Sequence, residues 1–321
     1  MVAGNDMSKK IAIISSERFA GKINEDLLLQ DALLRLGEKA EIIPWEAKDI
    51  EWQKYKSAVL RSCWGYHKKL NEFIKFLNRL QSFDVQLFND AKIVKWNIQK
   101  DLQFKELNLL GIATIPSHVV SNPAFDLKKI ITQYGLEKYK NIVIKPTVSG
   151  SGDNTYIICL DKKEGNLKNK LSIEQAQAFF QKAMADKCIS GFMLQPFLGG
   201  IVDGEFSFIY IDSELTHIAA RYPGIFADKK DAVEVDKSCI SHEMMLFARQ
   251  CQKALLHITN KIQKGLTPVY TRCDIVKNNN QLFLMEAEMA EPDLLIRTIS
   301  SPQKRTNVMG KLAETISRRS R

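Results

Sequence analysis

The sequence contains no paired cysteines and no clustered histidines. Its six cysteines stand at positions 63, 159, 188, 239, 251 and 273, none of them in a CxxC spacing. Scattered thiols of this kind read as reduced cysteines of a cytoplasmic protein, not as a disulfide framework or a zinc site. None of the five histidines falls in an HxxxH or HExxH spacing, which argues against a histidine-built metal centre. No apolar run approaches the roughly 18 to 20 residues of a membrane-spanning helix. The apolar stretch after Lys9 and Lys10 is also too short for a signal-peptide core. No Ser/His/Asp or Cys/His set suggests a protein nucleophile, and no glycine-rich turn opens a helix in the manner of a P-loop.

What is present is an ordinary globular composition. The chain has 321 residues, 45% hydrophobic and 26% charged, enough for two or three structural units with sizeable cores. The net charge of +9 raises nucleic-acid binding as a reading. The lysines, however, are spread along helix faces, as at Lys68, Lys69 and Lys75 or Lys128 and Lys129, without interleaved aromatics. Only the C-terminal RRSR is concentrated. Solvated helix faces and a site for phosphates account for the charge at least as well, so nucleic acid is not the expected partner.

The first hundred residues alternate as a parallel sheet requires. Strands are expected at 10–15, 40–44, 58–61 and 85–88, with helices at 24–36 and 70–80. Ligands of such sheets lie beyond the carboxyl ends of the strands, which puts Ser16, Arg61, Ser62, Trp64 and Tyr66 at the mouth as candidate substrate-binding residues. Arg61 could grip a carboxylate with its fork, or form a structural ion pair behind an aromatic plug. A helix is expected at 98–110, strands at 142–145 and 155–159 around a small-residue loop, and a helix at 173–184. From Gly191 the pattern turns to strands at 192–195, 205–211 and 215–221, a loop over 224–237, a long helix at 241–259, and a final hairpin of 269–276 with 282–287. Units of 1–97, 98–190 and 191–321 follow.

The final hairpin carries the densest chemistry. Asp274 ends one strand, and Glu286 and Glu288 lie two apart on the next, on one sheet face. Three carboxylates gathered there would repel one another unless a cation sat between them, and all-oxygen ligands favour magnesium or manganese. Exposed strands decorated with acids are the alternative, but the apolar flanks VYTRCDIV and LFLMEAEM belong to buried strands.

Upstream, the strand 142–144 runs into Lys145 and then a loop without bulk, TVSGSGDNT. A strand lysine before a small-residue hairpin, followed by the Asp and Glu-x-Glu hairpin, resembles the ATP-grasp superfamily of carboxylate-amine ligases over essentially the whole chain. The resemblance implies an α/β and α+β protein, with an N-terminal doubly wound parallel-sheet domain followed by two α+β ATP-grasp subdomains. It implies that Lys100, Lys145 and the loop Ser149, Gly150, Ser151 and Gly152 bind ATP phosphates. The stretch Gln195, Pro196, Phe197 and Leu198 would read adenine, and Glu205 would take the ribose. Arg221 and Arg272 would be catalytic at the transferred phosphate, and Asp274, Glu286 and Glu288 would hold magnesium or manganese, as two ions. Glu288 departs from the asparagine that many such ligases carry there.

The strings RSCWGY, NDAKIVKWNIQK and EAEMAEPDLL are similar to the branch that includes the O-ureido-serine cyclo-ligase of cycloserine biosynthesis and glutathione-synthetase-like proteins. The chemistry implied is activation of a small carboxylate as an acyl phosphate, then attack by an amine, between two molecules or within one. An ATP-binding module without turnover is the alternative. Relatives of this kind make a homodimer an expectation.

Overall fold

Strand β1 (Lys10–Ser15) is buried along its length because alternate side chains enter different cores: Ile11 and Ile13 on one face, Ala12 and Ile14 on the other. A strand covered on both sides is what a parallel α/β sheet demands. The computed structural model describes residues 9–160, 168–222 and 232–320, and among these the strands form three sheets.

The first sheet has the order β2-β1-β3-β4, with β2 at Ala40–Pro44, β3 at Tyr55–Leu60 and β4 at Gln86–Phe88, all parallel. Helix α1 (Asn24–Arg35) covers one face through Leu29 and Leu33, joined there by the C-terminal helix α8 (Pro302–Arg319) through Val308, Leu312 and Ile316. Helices α2 (Leu70–Ser82) and α3 (Ala91–Asn97) cover the other through Phe73, Leu77, Leu80, Ala91 and Val94. The helix expected at 98–110 is instead α4 (Lys100–Leu109), separated from α3 by Ile98 and Gln99. Lys100 is thereby its first residue.

The second sheet has the order β5-β9-β6-β7-β8, comprising β5 (His118–Val120), β6 (Asn141–Pro146), β7 (Tyr156–Cys159), β8 (Lys170–Leu171) and β9 (Phe192–Pro196). Helices α5 (Leu127–Gln133) and α6 (Ile173–Ala185) pack on one face through Leu127, Ile131, Ala176 and Phe180 against Ile142, Ile144, Phe192 and Leu194. Ser172 caps α6 with Gln175 in a reciprocal capping box. Because β9 pairs antiparallel with both β5 and β6, the boundary expected at 190/191 cuts this sheet. We place it after Pro196.

The third sheet, β12-β11-β10-β13-β14, is built from β10 (Glu205–Ile211), β11 (Glu214–Arg221), β12 (Ala232–Val235), β13 (Tyr270–Asn278) and β14 (Gln281–Glu288). Part of the loop expected over 224–237 lies outside the described residues, and 232–235 is an edge strand paired with β11. Helix α7 (His242–Ile262) presents Met244, Ala248, Cys251, Leu255 and Ile258 along one stripe to Phe208, Ile218, Cys273, Ile275 and Leu284. That leaves the opposite face of the sheet free to carry polar groups. Arg318 and Arg319 of the basic C-terminus share the Asp212 carboxylate, so part of the charge concentrated there is offset within the fold. Among the described residues no helix is long and apolar enough to cross a membrane.

Candidate active site

Strand register builds the polar face of the third sheet. Directly opposed residues of antiparallel strands present their side chains to the same side. The pairs here are Glu205 with Arg221, Ser207 with Asp274, Asp274 with Glu286, and Arg272 with Glu288. Opposed ion pairs follow directly: Arg221 Nη2 lies 3.2 Å from Glu205 Oε1, and Arg272 Nη1 lies 2.9 Å from Glu288 Oε2.

The end of β14 is held by amides of the preceding helices. Asn97 Nδ2 and Gln103 Nε2 both donate to the Ala287 carbonyl, at 2.7 and 2.8 Å. The Met289 and Ala290 N–H groups donate to Asn97 Oδ1, at 2.8 and 3.0 Å. Glu286 and Glu288, on either side of Ala287, are therefore fixed in place.

Across from this face stands the second sheet, with the alternation of β6 putting Val143 and Lys145 opposite to the core residues Ile142 and Ile144. Between the two sheets lies a cavity of about 690 Å³. Its apolar walls are Ile98, Ile115, Val143, Ile157, Met285 and Ala287, flanked by the connection Gln195, Pro196, Phe197 and Leu198. Gln195 is tied down through its side chain, which donates to Ser117 Oγ at 2.8 Å, and the Phe197 N–H donates to the Asn141 carbonyl at 3.1 Å. An apolar slot beside a fixed run of backbone suits a flat heteroaromatic base.

The polar end of the cavity gathers Lys100, Lys145, Arg221 and Arg272 with Glu205, Glu286 and Glu288. Lys100 donates to Glu286. Although burial disfavours its charge, Lys100, Arg272 and Lys145 hold the Glu286 carboxyl well below the usual carboxylate range. Glu288 behaves oppositely: burial, with repulsion from Glu286 and Asp274, pushes it up to about 8 against the pull of Arg272. Burial likewise raises Glu205, opposed by Arg221. Lys145 has no ion-pair partner among the described residues. Its ammonium stands 5.8 Å from the Phe104 ring centre, and burial followed by repulsion from Lys100 lowers it to about 8.

The loop after β6 closes over this end. Its base is fixed by Lys100 N–H donating to the Thr147 carbonyl and by Thr147 N–H donating to Gly191, both at 3.0 Å. Ser151, Gly152 and Asn154 take left-handed backbone angles, a conformation that glycine and asparagine tolerate best. Asp153 reaches the N-terminal domain, where His67 Nε2 lies 2.9 Å and Lys68 Nζ 3.2 Å from its Oδ2.

A sequence-family profile described as D-cycloserine synthetase DcsG, N-terminal domain, matches residues 11–89. Cycloserine biosynthesis protein DcsG of Streptomyces lavendulae is 24% identical over 192 residues, which is 59% of this chain and 59% of that protein. The crystal structure of D-cycloserine synthetase DcsG superposes with a TM-score of 0.80 at 19% identity, covering 97% of this chain and 99% of that one. A RimK domain ATP-grasp protein from Sphaerobacter thermophilus gives 0.63 at 13% identity, covering 95% and 98%. The fold is the ATP-grasp fold.

Within the ATP-grasp cleft the structure brings together Lys100, Lys145, Ser149, Gly150, Ser151, Gly152, Gln195, Pro196, Phe197, Leu198, Glu205, Arg221, Arg272, Glu286, Glu288, Trp64 and Tyr66. Four expected residues do not line it. Arg61 is 2% exposed, and it donates to the Pro292 carbonyl (3.1 Å) and to Glu25 (3.4 Å) while lying over the Tyr270 ring. Its positive fork is spent on a contact between domains, so it is the structural ion pair and not a carboxylate grip. Ser62 donates to Asp26 and shares a 2.6 Å hydrogen bond with Ser15, while Ser16 donates to the Ser62 carbonyl at 3.2 Å. Both serines are buried in that network and do not reach the cleft.

Asp274 is the fourth. It is fully buried and accepts from Ser207 Oγ (2.6 Å), Arg221 Nη2 (2.6 Å) and Arg272 Nε and Nη2 (3.0 and 2.9 Å). Its oxygens are filled by guanidinium groups, and among the described residues no three His, Cys, Asp or Glu side chains gather closely enough to hold a metal ion. The expected cluster of three acids is interrupted by Arg272, which reaches Asp274 and Glu288 at once. Asp274 here orients both arginines.

Glu291 lines the cleft and was missed by sequence reasoning. In EAEMAEPDLL it looks like a turn acid before proline. Only the Trp64 indole, which donates to its carbonyl at 3.3 Å from 227 positions upstream, places it. Val143, Ile157 and Met285 were legible through strand alternation, as neighbours of the chemical residues on the same faces.

Proposed function

We propose that this chain is an ATP-dependent ligase that activates a small carboxylate as an acyl phosphate and joins it to an amine, releasing ADP and phosphate. The observation that carries the reading is Lys145, a half-buried cation without an ion-pair partner among the described residues, facing Glu286 and Glu288 across one cleft. A polyphosphate supplies the anion that Lys145 lacks.

The apolar slot along Gln195 to Leu198 takes the adenine, and Glu205 at its edge takes the ribose hydroxyls. Lys145, Lys100 and the amides of Ser149 to Gly152 neutralise the phosphates. Glu286 and Glu288 offer partly exposed carboxylates, 26% and 29% accessible, an all-oxygen donor set that fits magnesium held between one or two carboxylates and substrate phosphates. Asp274, its oxygens taken up by Arg221 and Arg272, stands behind these two acids and is not a ligand. Magnesium bound there would offset charge on the β- and γ-phosphates.

The substrate carboxylate attacks the γ-phosphorus, and the ADP oxygen leaves. The amine then adds to the acyl carbon and phosphate departs. Arg221 and Arg272, locked in direction by Asp274, face the charge that develops on the transferred phosphoryl group and on the tetrahedral oxygen. The loop 147–155 excludes water that would hydrolyse the acyl phosphate.

The test is ADP release with magnesium, ATP, and pools of amino acids and small carboxylates, comparing the natural sequence with Glu286→Gln. Pool-dependent ADP formation, lost in the variant, is expected. ATP binding without any pool-stimulated turnover makes the chain a nucleotide-binding module instead.

A further inference from the structure

Strand β14 is weakly held by its own sheet where it carries its two acids. It is the edge strand, and its register against β13 shifts between Asp274 and Ile275, which face Glu286 and Leu284, so that Met285 has no opposite residue. A bulge of this kind bends the strand and interrupts its ladder. The unopposed residue immediately precedes Glu286. The aim of Glu286 and Glu288 therefore depends on what grips the strand beyond Met285, and that grip comes from the junction of α3 and α4.

Gln103 is the unusual member of that junction. It is buried, and its Nε2 donates to the Asn97 carbonyl at 3.1 Å and to the Ala287 carbonyl at 2.8 Å. Two carbonyl partners fix which way round the amide lies. Its Oε1 is left buried with no hydrogen-bond partner among the described residues. A buried amide with an unpaired acceptor stabilises little, because stripping water from that oxygen offsets the bonds its nitrogen makes. What Gln103 supplies is direction. The Ala287 carbonyl also accepts from Asn97 Nδ2 at 2.7 Å, and two side-chain donors leave its peptide plane less room to tilt than one. Glu286 and Glu288 leave the chain on either side of that residue.

The same helical turn holds the phosphate end of the cleft. Lys100 opens α4 and lies one turn before Gln103, on the same face. Its side chain donates to Glu286, and its N–H donates to the Thr147 carbonyl, at the base of the loop 147–155, at 3.0 Å. One turn of helix is thus attached to the loop, to Glu286 and to Ala287. We propose that Gln103 is a positioning residue for phosphoryl transfer, setting the spacing between Lys100 and the carboxylate pair that would hold magnesium. This role rests on the ligase reading, and it adds a residue that is not among those lining the cleft. Asn97 shares the Ala287 carbonyl, but it also lines the cleft and accepts from the Met289 and Ala290 N–H groups, so its removal would disturb several contacts at once. Gln103→Met is more selective. Methionine is of similar length, removes the unpaired oxygen, leaves Ala287 bonded to Asn97 and frees only the Asn97 carbonyl.

The experiment measures metal binding, so that it does not depend on turnover. Manganese, a paramagnetic substitute for magnesium, is titrated by electron paramagnetic resonance into the full chain with a non-hydrolysable ATP analogue. The protein is kept in excess, so that no free nucleotide competes for the metal. Gln103→Met is expected to weaken manganese affinity about tenfold, the lower end of the loss when a residue that orients metal ligands is removed. The analogue alone, without metal, should bind the variant as it binds the unmodified chain, and the urea midpoint should not fall. Unchanged manganese affinity overturns the proposal, and so does a lowered midpoint or a loss of metal-free nucleotide binding, either of which makes Gln103 a packing residue. The two readings fail differently. Manganese binding that the variant keeps in full sinks the role of Gln103 alone, whereas an unmodified chain that binds nucleotide but no manganese sinks the metal site of the ligase reading and this role with it.

Discussion

Arg272 grips Asp274 side-on, with Nε 3.0 Å and Nη2 2.9 Å from its carboxylate, two residues apart on one strand. Arg221 completes the hub from the neighbouring strand at 2.6 Å. Both members of the Arg272–Asp274 pair are buried, at 2% and 0% exposure. Asp274→Asn removes the charge that Arg221 and Arg272 share, leaving each with one acid, Glu205 and Glu288, and removing one partner of such a buried pair costs about 3 kcal/mol. Urea unfolding is expected to show a midpoint lowered to match, together with lost turnover. An unchanged midpoint contradicts the hub.

Arg61 acts on stability and not on substrate affinity. Its contacts with Glu25 and Pro292 join the N-terminal domain to the segment after β14, and burial raises Glu25 to about 7, with Asp293 adding to the shift against Arg61. Arg61→Met is expected to lower the unfolding free energy by about 3 kcal/mol. Michaelis constants measured well below the melting temperature should stay put. A raised Michaelis constant for the carboxylate with intact stability restores the carboxylate grip.

What could be read in the sequence was chemistry carried by spacing within an element. Asp274, Glu286 and Glu288 sit on one hairpin, and Lys145 closes the strand before its loop, so alternation alone put each on its face. Arg61 could not be placed that way, since its partners lie 36 and 231 positions away. Alternation puts Asp274 on its face, opposite Glu286, but only cross-strand register with β10 and β11 brings Ser207 and Arg221 to it. The short α5 and the edge strand β12 escaped notice for another reason. Seven and four residues are too few to show a period.

Lys145 sets a pH dependence for nucleotide. Burial first, and then Lys100, lowers its pKa to about 8, against about 10.4 in an unfolded chain. Between these values the unfolded chain holds the proton more tightly, so this group disfavours folding below pH 8 and releases that penalty as pH rises. Phosphate needs the charged form. ATP affinity is therefore expected to fall as pH climbs through about 8, with proton uptake visible by calorimetry in buffers of different ionisation enthalpy. Lys145→Met should flatten the profile. A profile as steep in that variant contradicts the assignment.

The loop latch is a modest one. Asp153 is one-third exposed, and His67 and Lys68 hold its carboxyl below the usual range despite burial. An ion pair of this exposure contributes up to about 1 kcal/mol, so Asp153→Ala should speed limited proteolysis within residues 147–155 by about two- to fivefold. Nucleotide should restore protection. Cleavage at the original rate contradicts a latch between loop and N-terminal domain.

The central claim is that ATP phosphorylates a carboxylate in this cleft. Hydroxylamine trapping during turnover with the amino acid and carboxylate pools tests it most directly, with ADP, AMP and hydroxamate quantified together. ADP and hydroxamate are expected in equal amounts, both abolished in Glu286→Gln. AMP and pyrophosphate in place of ADP, or ADP formed without any hydroxamate, contradicts it.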